Sequence, residues 1–283
     1  MKVKELSAGQ LATLACGLEV AAPKPGNVHR SADFSDTTFE DFLVSAQLLG
    51  HVVDATSGKS IGKSVYKAVE ATAHVLNKNT NLGLILLIVP LAKLQQRGCS
   101  LTVVNMMNLL QELSPQDASD VFAAIRLAAP GGLGNVDEMD VSDSPPANLL
   151  DAMRVAAKRD LVAQQYSTGF QLVFETVVPY LIRSRKALSL RDAIVLCHIR
   201  LIANFGDSLI ARKCGDAESN HAQFLAQKAV ESFESGDDGR YLESLAEMDF
   251  WMRSDGNRRN PGTTADLVGA GLFVALASGK LKL

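Results

Sequence analysis

Apolar residues recur at spacings of three and four along almost the whole chain, and nowhere do they alternate for long enough to mark a strand, so packed helices are what this sequence can build. The first segment carries Leu11, Leu14, Ala15, Leu18 and Ala22 in that register. The same spacing predicts helices over Phe39 to Ala55, Ile61 to Asn77, Leu82 to Gln96, Leu101 to Leu113 and Pro115 to Leu127. Ser114 ahead of Pro115 is a start signal, because proline is tolerated in a first turn and serine can cap it. A long helical stretch from Ala147 to Arg183, kinked or interrupted at Pro179, precedes Leu190 to Phe205, a short piece around Leu209, Ala217 to Ser235, Tyr241 to Met252 and a last helix from Thr263 to Leu276. With no internal repeat and no linker, the expected fold is all-α: one compact multi-helix domain over residues 1–283, with polar loops converging on one site.

Hydrophobic residues make up 47% of the chain and charged residues 21%, which excludes extended disorder. A formal net charge of -3 supplies no global basic field, so no nucleic-acid partner is expected and any anion must be met locally. The four cysteines, Cys16, Cys99, Cys197 and Cys214, stand far apart without metal-ligand spacing, as in a reduced cytoplasmic protein. Met1 to Ser7 lacks the apolar core of a secretory signal. The most apolar run, Leu82 to Leu94, contains Pro90 and is too short to cross a bilayer, so no membrane partner is expected.

Polar chemistry is concentrated in loops. Pro23-Lys24-Pro25-Gly26-Asn27-Val28-His29-Arg30 offers Lys24, His29 and Arg30 as donors, while Gly26 lets backbone amides approach a ligand. Downstream, Asp33 and Asp36 have the chemistry to hold a cation or deprotonate a hydroxyl, and Asp36 equally suits a helix start. Asn79, Thr80 and Asn81 open the most apolar helix, where amides serve either a phosphate or base edge or the helix itself. Gly131-Gly132-Leu133-Gly134 lacks the strand and the Gly-Lys-Ser/Thr ending of a phosphate loop, but Asp137, Glu138 and Asp140 beyond it suit magnesium, or else a solvated acidic loop.

Arg159, Asp160 and Gln164 fall within the predicted long helix, as an interior polar site or a structural ion pair. Asp207 is placed to cap a short helix whose other end presents Arg212 and Lys213. The last loop, Gly256 to Asp266, carries the phosphate-type ligands Arg258 and Arg259, and Thr263 with Asp266 has capping-box spacing beneath a bound anion. His51, His74, His198 and His221 read as structural or surface residues.

In order and spacing, Glu19 with Pro23-Lys24-Pro25-Gly26, Asn79-Thr80-Asn81 with Gly83, Asp207 before Arg212-Lys213-Cys214-Gly215, and Asn260-Pro261-Gly262 with Ala265-Asp266-Leu267 resemble the triphosphoribosyl-dephospho-CoA synthase family. Its members prepare the prosthetic-group precursor of citrate lyase and malonate decarboxylase. The resemblance implies a transferase: a ribose hydroxyl of dephospho-CoA attacks the anomeric carbon of ATP, and adenine leaves. It implies ATP as substrate, magnesium as the accompanying ion, Lys24, Arg258 and Arg259 on phosphates, and Glu19, Asp33 or Asp36 as the catalytic carboxylate near the reacting sugars. Gly26, Asn27, His29, Arg30, Asn79, Asn81, Asp207, Arg212, Lys213, Asn260, Gly262, Thr263 and Asp266 complete the expected binding residues. Where citrate-lyase members are expected to carry an Asn-Thr-His-Lys-Gly segment, this chain has Asn79-Thr80-Asn81-Leu82-Gly83. The alternatives are ribosyl transfer to another acceptor, such as a methanopterin-type carrier precursor, and a non-catalytic nucleotide-binding helical protein.

Overall fold

Fourteen α-helices and no strand make up the regular structure among the described residues, which are 5–132 and 139–281 of a computed structural model. In chain order they are α1 (Ala8–Ala21), α2 (Phe39–Ala55), α3 (Ile61–Leu76), α4 (Leu82–Gln96), α5 (Val103–Gln111), α6 (Pro115–Ala128), α7 (Leu149–Ala156), α8 (Leu161–Thr168), α9 (Val178–Ser184), α10 (Leu190–Phe205), α11 (Ser208–Cys214), α12 (Asp216–Glu234), α13 (Asp238–Arg253) and α14 (Gly262–Ala277). Local chemistry sets many starts. Ser7, Thr38 and Ser114 open α1, α2 and α6 through capping boxes with Gln10, Asp41 and Asp117.

Two helices are apolar on every side and therefore form the centre. All residues from Leu84 to Leu94 in α4, and from Leu267 to Leu276 in α14, are buried, and the two helices pack on each other. Pro90 within α4 cannot donate to the carbonyl of Leu86, and that acceptor is taken by Tyr166, whose buried hydroxyl donates to Leu86 O at 2.7 Å. Around this pair lie α1, α2 and α3, with α6 packed on α3. A smaller cluster joins α10, α12 and α13 through Ile199, Ile202, Ala226, Met248 and Met252. No single helix among the described residues is long and apolar enough to cross a membrane.

The stretch from 147 to 183 differs from the single kinked helix that its periodicity predicts. It divides into α7, α8, a π-helical segment Val173–Val177 and α9. Asp160 is not inside a helix: its carboxylate caps α8 by accepting from Val162 N and Ala163 N. Gly169 and Phe170 then both take left-handed backbone, with φ of 65° each, and end it. Pro179 sits in the first turn of α9, where the π-helical segment ahead of it absorbs the bond that proline cannot make.

Where α1 crosses α2, glycine is required by proximity. A β carbon on Gly50 would stand 2.0 Å from Thr13 Oγ1 and 2.5 Å from Gly9 O. Because one of those neighbours is backbone, Gly50→Ala must separate the helices, and an expected loss of about 1–3 kcal/mol can be read from denaturant unfolding.

Candidate active site

The two polar loops from opposite ends of the chain meet. Asn27 Nδ2 donates to Asn260 Oδ1 at 2.6 Å, and Arg253 donates through its guanidinium to the carbonyl oxygen of Asn27. Gly26, at φ 77°, donates its N–H to Asp249 Oδ1 at 2.7 Å, and a β carbon there would stand 2.5 Å from Met252 Sδ and 2.9 Å from Pro261 Cδ. Only glycine fits this latch.

Behind the latch lies a cleft with two lobes. The first, of about 350 Å³, has an apolar wall that includes Leu84, Phe122, Leu149 and Met153. Facing it are the amides Asn27, Asn81 and Asn260, the cations Arg159, Arg212 and Lys213, and the carboxylates Glu19, Asp160 and Asp266. The second lobe, of about 780 Å³, shares Asn79, Asn81, Lys213 and Asn260 with the first and adds Asp36, His74, Lys78 and Asn257 beside apolar residues such as Val69, Ile85 and Leu127. Lys213 thus stands where the lobes join, and among the described residues no hydrogen bond or ion pair occupies its ammonium. Among the described residues, three that line the first lobe keep a buried polar atom without a hydrogen-bond partner: Asn27 Oδ1, Asn81 Nδ2 and Arg212 Nε. Buried polar atoms are nearly always paired, so this concentration marks a place built for a polar ligand.

Asp207 organises the floor. It is buried, and Oδ1 accepts from Leu209 N and Ile210 N at 2.8 and 3.1 Å, while Oδ2 accepts from Thr264 N and Thr264 Oγ1 at 2.8 and 2.7 Å. One carboxylate therefore caps both α11 and α14. Burial pushes its acidity down, raising the pKa, against the pull of those four donors. The capping box expected between Thr263 and Asp266 does not form, because Asp207 already serves the start of α14. Asp266 lines the cavity instead, partly open to it but enclosed by protein, and its carboxyl is pushed well above the usual carboxylate range by burial, then by Glu19, Asp207 and Asp160.

Several expected ligand residues are committed elsewhere. Lys24 is fully buried, with its ammonium 2.8 Å from Glu19 Oε1 and also donating to the carbonyl oxygens of Glu19 and Ala22, so it faces away from solvent and cavity alike. Arg258 is exposed and pairs with Asp255 at 3.2 Å. Arg259 stacks over Trp251, 4.6 Å from the ring centre, and pairs with Glu218 at 2.6 Å. Asp33 accepts from Phe39 N at the start of α2, and Asp36 accepts from Asn257 on the rim of the second lobe. His29 bonds through its backbone to Ala32, and partial burial, helped by Arg253, lowers its imidazole pKa; Arg30 is exposed, and neither residue lines the cleft. Asp207 sits beneath the site rather than in it.

Glu19, Asn27, Asn79, Asn81, Asp140, Arg212, Lys213, Asn260, Gly262, Thr263 and Asp266 do line the first lobe. Of the residues expected to hold magnesium, Asp137 and Glu138 lie outside the described residues, and Asp140 accepts through Oδ1 from Ser142 N and Oγ. Among the described residues, no group of three or more His, Cys, Asp or Glu side chains is placed to hold a metal ion. Arg159 and the apolar wall had no sequence signal tying them to the loops. Arg212 pairs with Asp160 at 2.7 Å, which joins α8 to α11 across the cavity floor.

The model of a family described as ATP:dephospho-CoA triphosphoribosyl transferase matches residues 5–283. A crystal structure from Archaeoglobus fulgidus, provisionally named a triphosphoribosyl-dephospho-CoA synthase, aligns with a TM-score of 0.66 at 25% identity, covering 84% of this chain and 99% of that one. A search of curated proteins returns no match. With a family match that runs nearly end to end, the chain belongs to the ATP:dephospho-CoA triphosphoribosyl transferase family.

Proposed function

We propose that this chain transfers the triphosphoribosyl group of ATP to a ribose hydroxyl of dephospho-CoA and releases adenine. The observation that carries the assignment of the cleft is Lys213, a cation unpaired among the described residues, at the junction of the two lobes. In this reading Lys213 and Arg212 meet the triphosphate, and the Asn27–Asn260 amide pair with Asn81 meets a base edge or sugar hydroxyls. The apolar wall takes the flat base and keeps water from an anomeric carbon that would otherwise be hydrolysed.

Glu19 is the carboxylate proposed to receive the proton of the attacking hydroxyl and to oppose positive charge growing on the donor ribose. It alone among Glu19, Asp33 and Asp36 lines the first lobe. Magnesium commonly binds through one or two carboxylates and the substrate phosphates, a demand that Asp140 on the cavity wall meets without a protein cage. When bound, the ion would neutralise triphosphate charge.

Free adenine, measured by chromatography, tests the proposal. It is expected from ATP when dephospho-CoA is present; binding of both nucleotides without any adenine release would favour the nucleotide-binding alternative. Lys213→Ala is expected to raise the KM for ATP about ten- to a hundredfold, the worth of a charged hydrogen bond. Arg258→Ala, whose partner is the exposed Asp255, is expected to stay within about threefold of the parent.

A further inference from the structure

Among the described residues, Asp266 is a cavity-lining carboxyl that nothing holds. Glu19 has Lys24, Asp160 has Arg212 and two backbone N–H groups, and Asp207 has four donors. Among the described residues, the Asp266 carboxyl accepts no hydrogen bond and forms no ion pair. Its position is nevertheless tightly set. A β carbon on Gly83 would stand 2.1 Å from Asp266 Oδ2, so glycine at the start of α4 leaves the space that this carboxyl fills. A helix-capping role is excluded because Asp207 serves the start of α14.

Its surroundings disfavour the anion from every side. The charged or titratable groups around it are Glu19 and Cys16 from α1, Asp160 from the start of α8, and Asp207 and Arg212 from the two ends of α11. Arg212, the one cation among them, is engaged by Asp160. Burial and three like charges thus push the Asp266 carboxyl well above the usual carboxylate range, in the same cavity as the lysine-paired Glu19. Two carboxyl groups in one cavity with opposing environments divide naturally into acid and base.

We propose that Asp266 is the proton donor to the departing base. As the bond from the anomeric carbon to the purine nitrogen breaks, its electron pair moves onto the purine, and the Asp266 carboxyl delivers its proton to a ring nitrogen. The acceptor hydroxyl oxygen bonds to the anomeric carbon and gives its proton to Glu19. Adenine leaves neutral, and passage of the proton from Glu19 to Asp266, directly or through water, resets the site. This assignment rests on the transfer reaction proposed above.

Asp266→Asn tests it with two donors, ATP and a ribose triphosphate carrying 4-nitrophenolate at the anomeric carbon, a leaving group that needs no proton. On ATP, kcat is expected to fall about a hundred- to ten-thousandfold with little change in KM; on the nitrophenolate donor the variant is expected to stay within about fivefold of the parent. The alkaline limb of the parent's pH profile on ATP should vanish in the variant. A thermal melt reports folding, and Asp266→Asn should not lower Tm, since it removes a half-buried acid that has no partner among the described residues. Gly83→Ala, which pushes the carboxyl aside without removing it, should reproduce the donor-dependent loss. Undiminished adenine release by Asp266→Asn, equal slowing on both donors, or an alkaline limb that persists overturns the inference. No adenine from the parent enzyme with any acceptor overturns the underlying reaction instead.

Discussion

Lys24→Met is expected to lower stability by about 3–5 kcal/mol, the range for stripping one partner from a buried ion pair. The ammonium is wholly enclosed, and its three acceptors are Glu19 Oε1, Glu19 O and Ala22 O. Removing it leaves the Glu19 carboxylate buried with no compensating charge. A solvent-facing phosphate ligand would behave otherwise: nucleotide affinity would fall while the midpoint of urea unfolding stayed put. Pairing Lys24→Met with Glu19→Gln should recover much of the lost stability, because two neutral side chains of similar volume need no ionic partner. It should not recover adenine release, because the proposed base is gone. A double-mutant cycle in stability, with turnover measured on the same four proteins, therefore separates the structural work of this pair from its chemical work.

The direction in which Lys24 points shows what the sequence could and could not convey. Periodicity and caps located most helices well: α2, α4 and α10 begin and end where the apolar pattern predicts, because their limits are set by neighbours within four residues. The 147–183 stretch failed because the apolar pattern continues across Asp160 and Gly169, where local capping and left-handed backbone override it. The site divides along the same line. Asn27, Asn260, Lys213 and Asp266 stand out as polar residues in loops and helix ends, and they do meet. Charge alone could not show that Arg259 is spent on Glu218, forty-one residues away, or that Lys24 folds back on the helix before it. A cation's residue type announces an anion; which anion is decided by packing.

Asp207 is the most consequential case of such hidden packing, since its carboxylate at the start of α11 reaches Thr264, fifty-seven residues on, in the first turn of α14. Asp207→Ala leaves four donors, Leu209 N, Ile210 N, Thr264 N and Thr264 Oγ1, without their acceptor. Two lost caps at roughly 1–2 kcal/mol each give an expected loss of about 3 kcal/mol, or a Tm lower by about 6–12 °C. Asp207→Asn should fall between, because one oxygen can still cap α11 while its amide meets the N–H of Thr264 donor to donor. Activity should follow the α14 half of the junction rather than stability as such. Asn260 and Asp266 flank Thr264 on either side, so freeing that turn displaces one member of the amide pair and the proposed acid together. Adenine release by Asp207→Asn, assayed well below its Tm, is accordingly expected to drop more than its folded fraction does; a rate that tracks the folded fraction alone would make Asp207 a stability residue with no part in positioning the site.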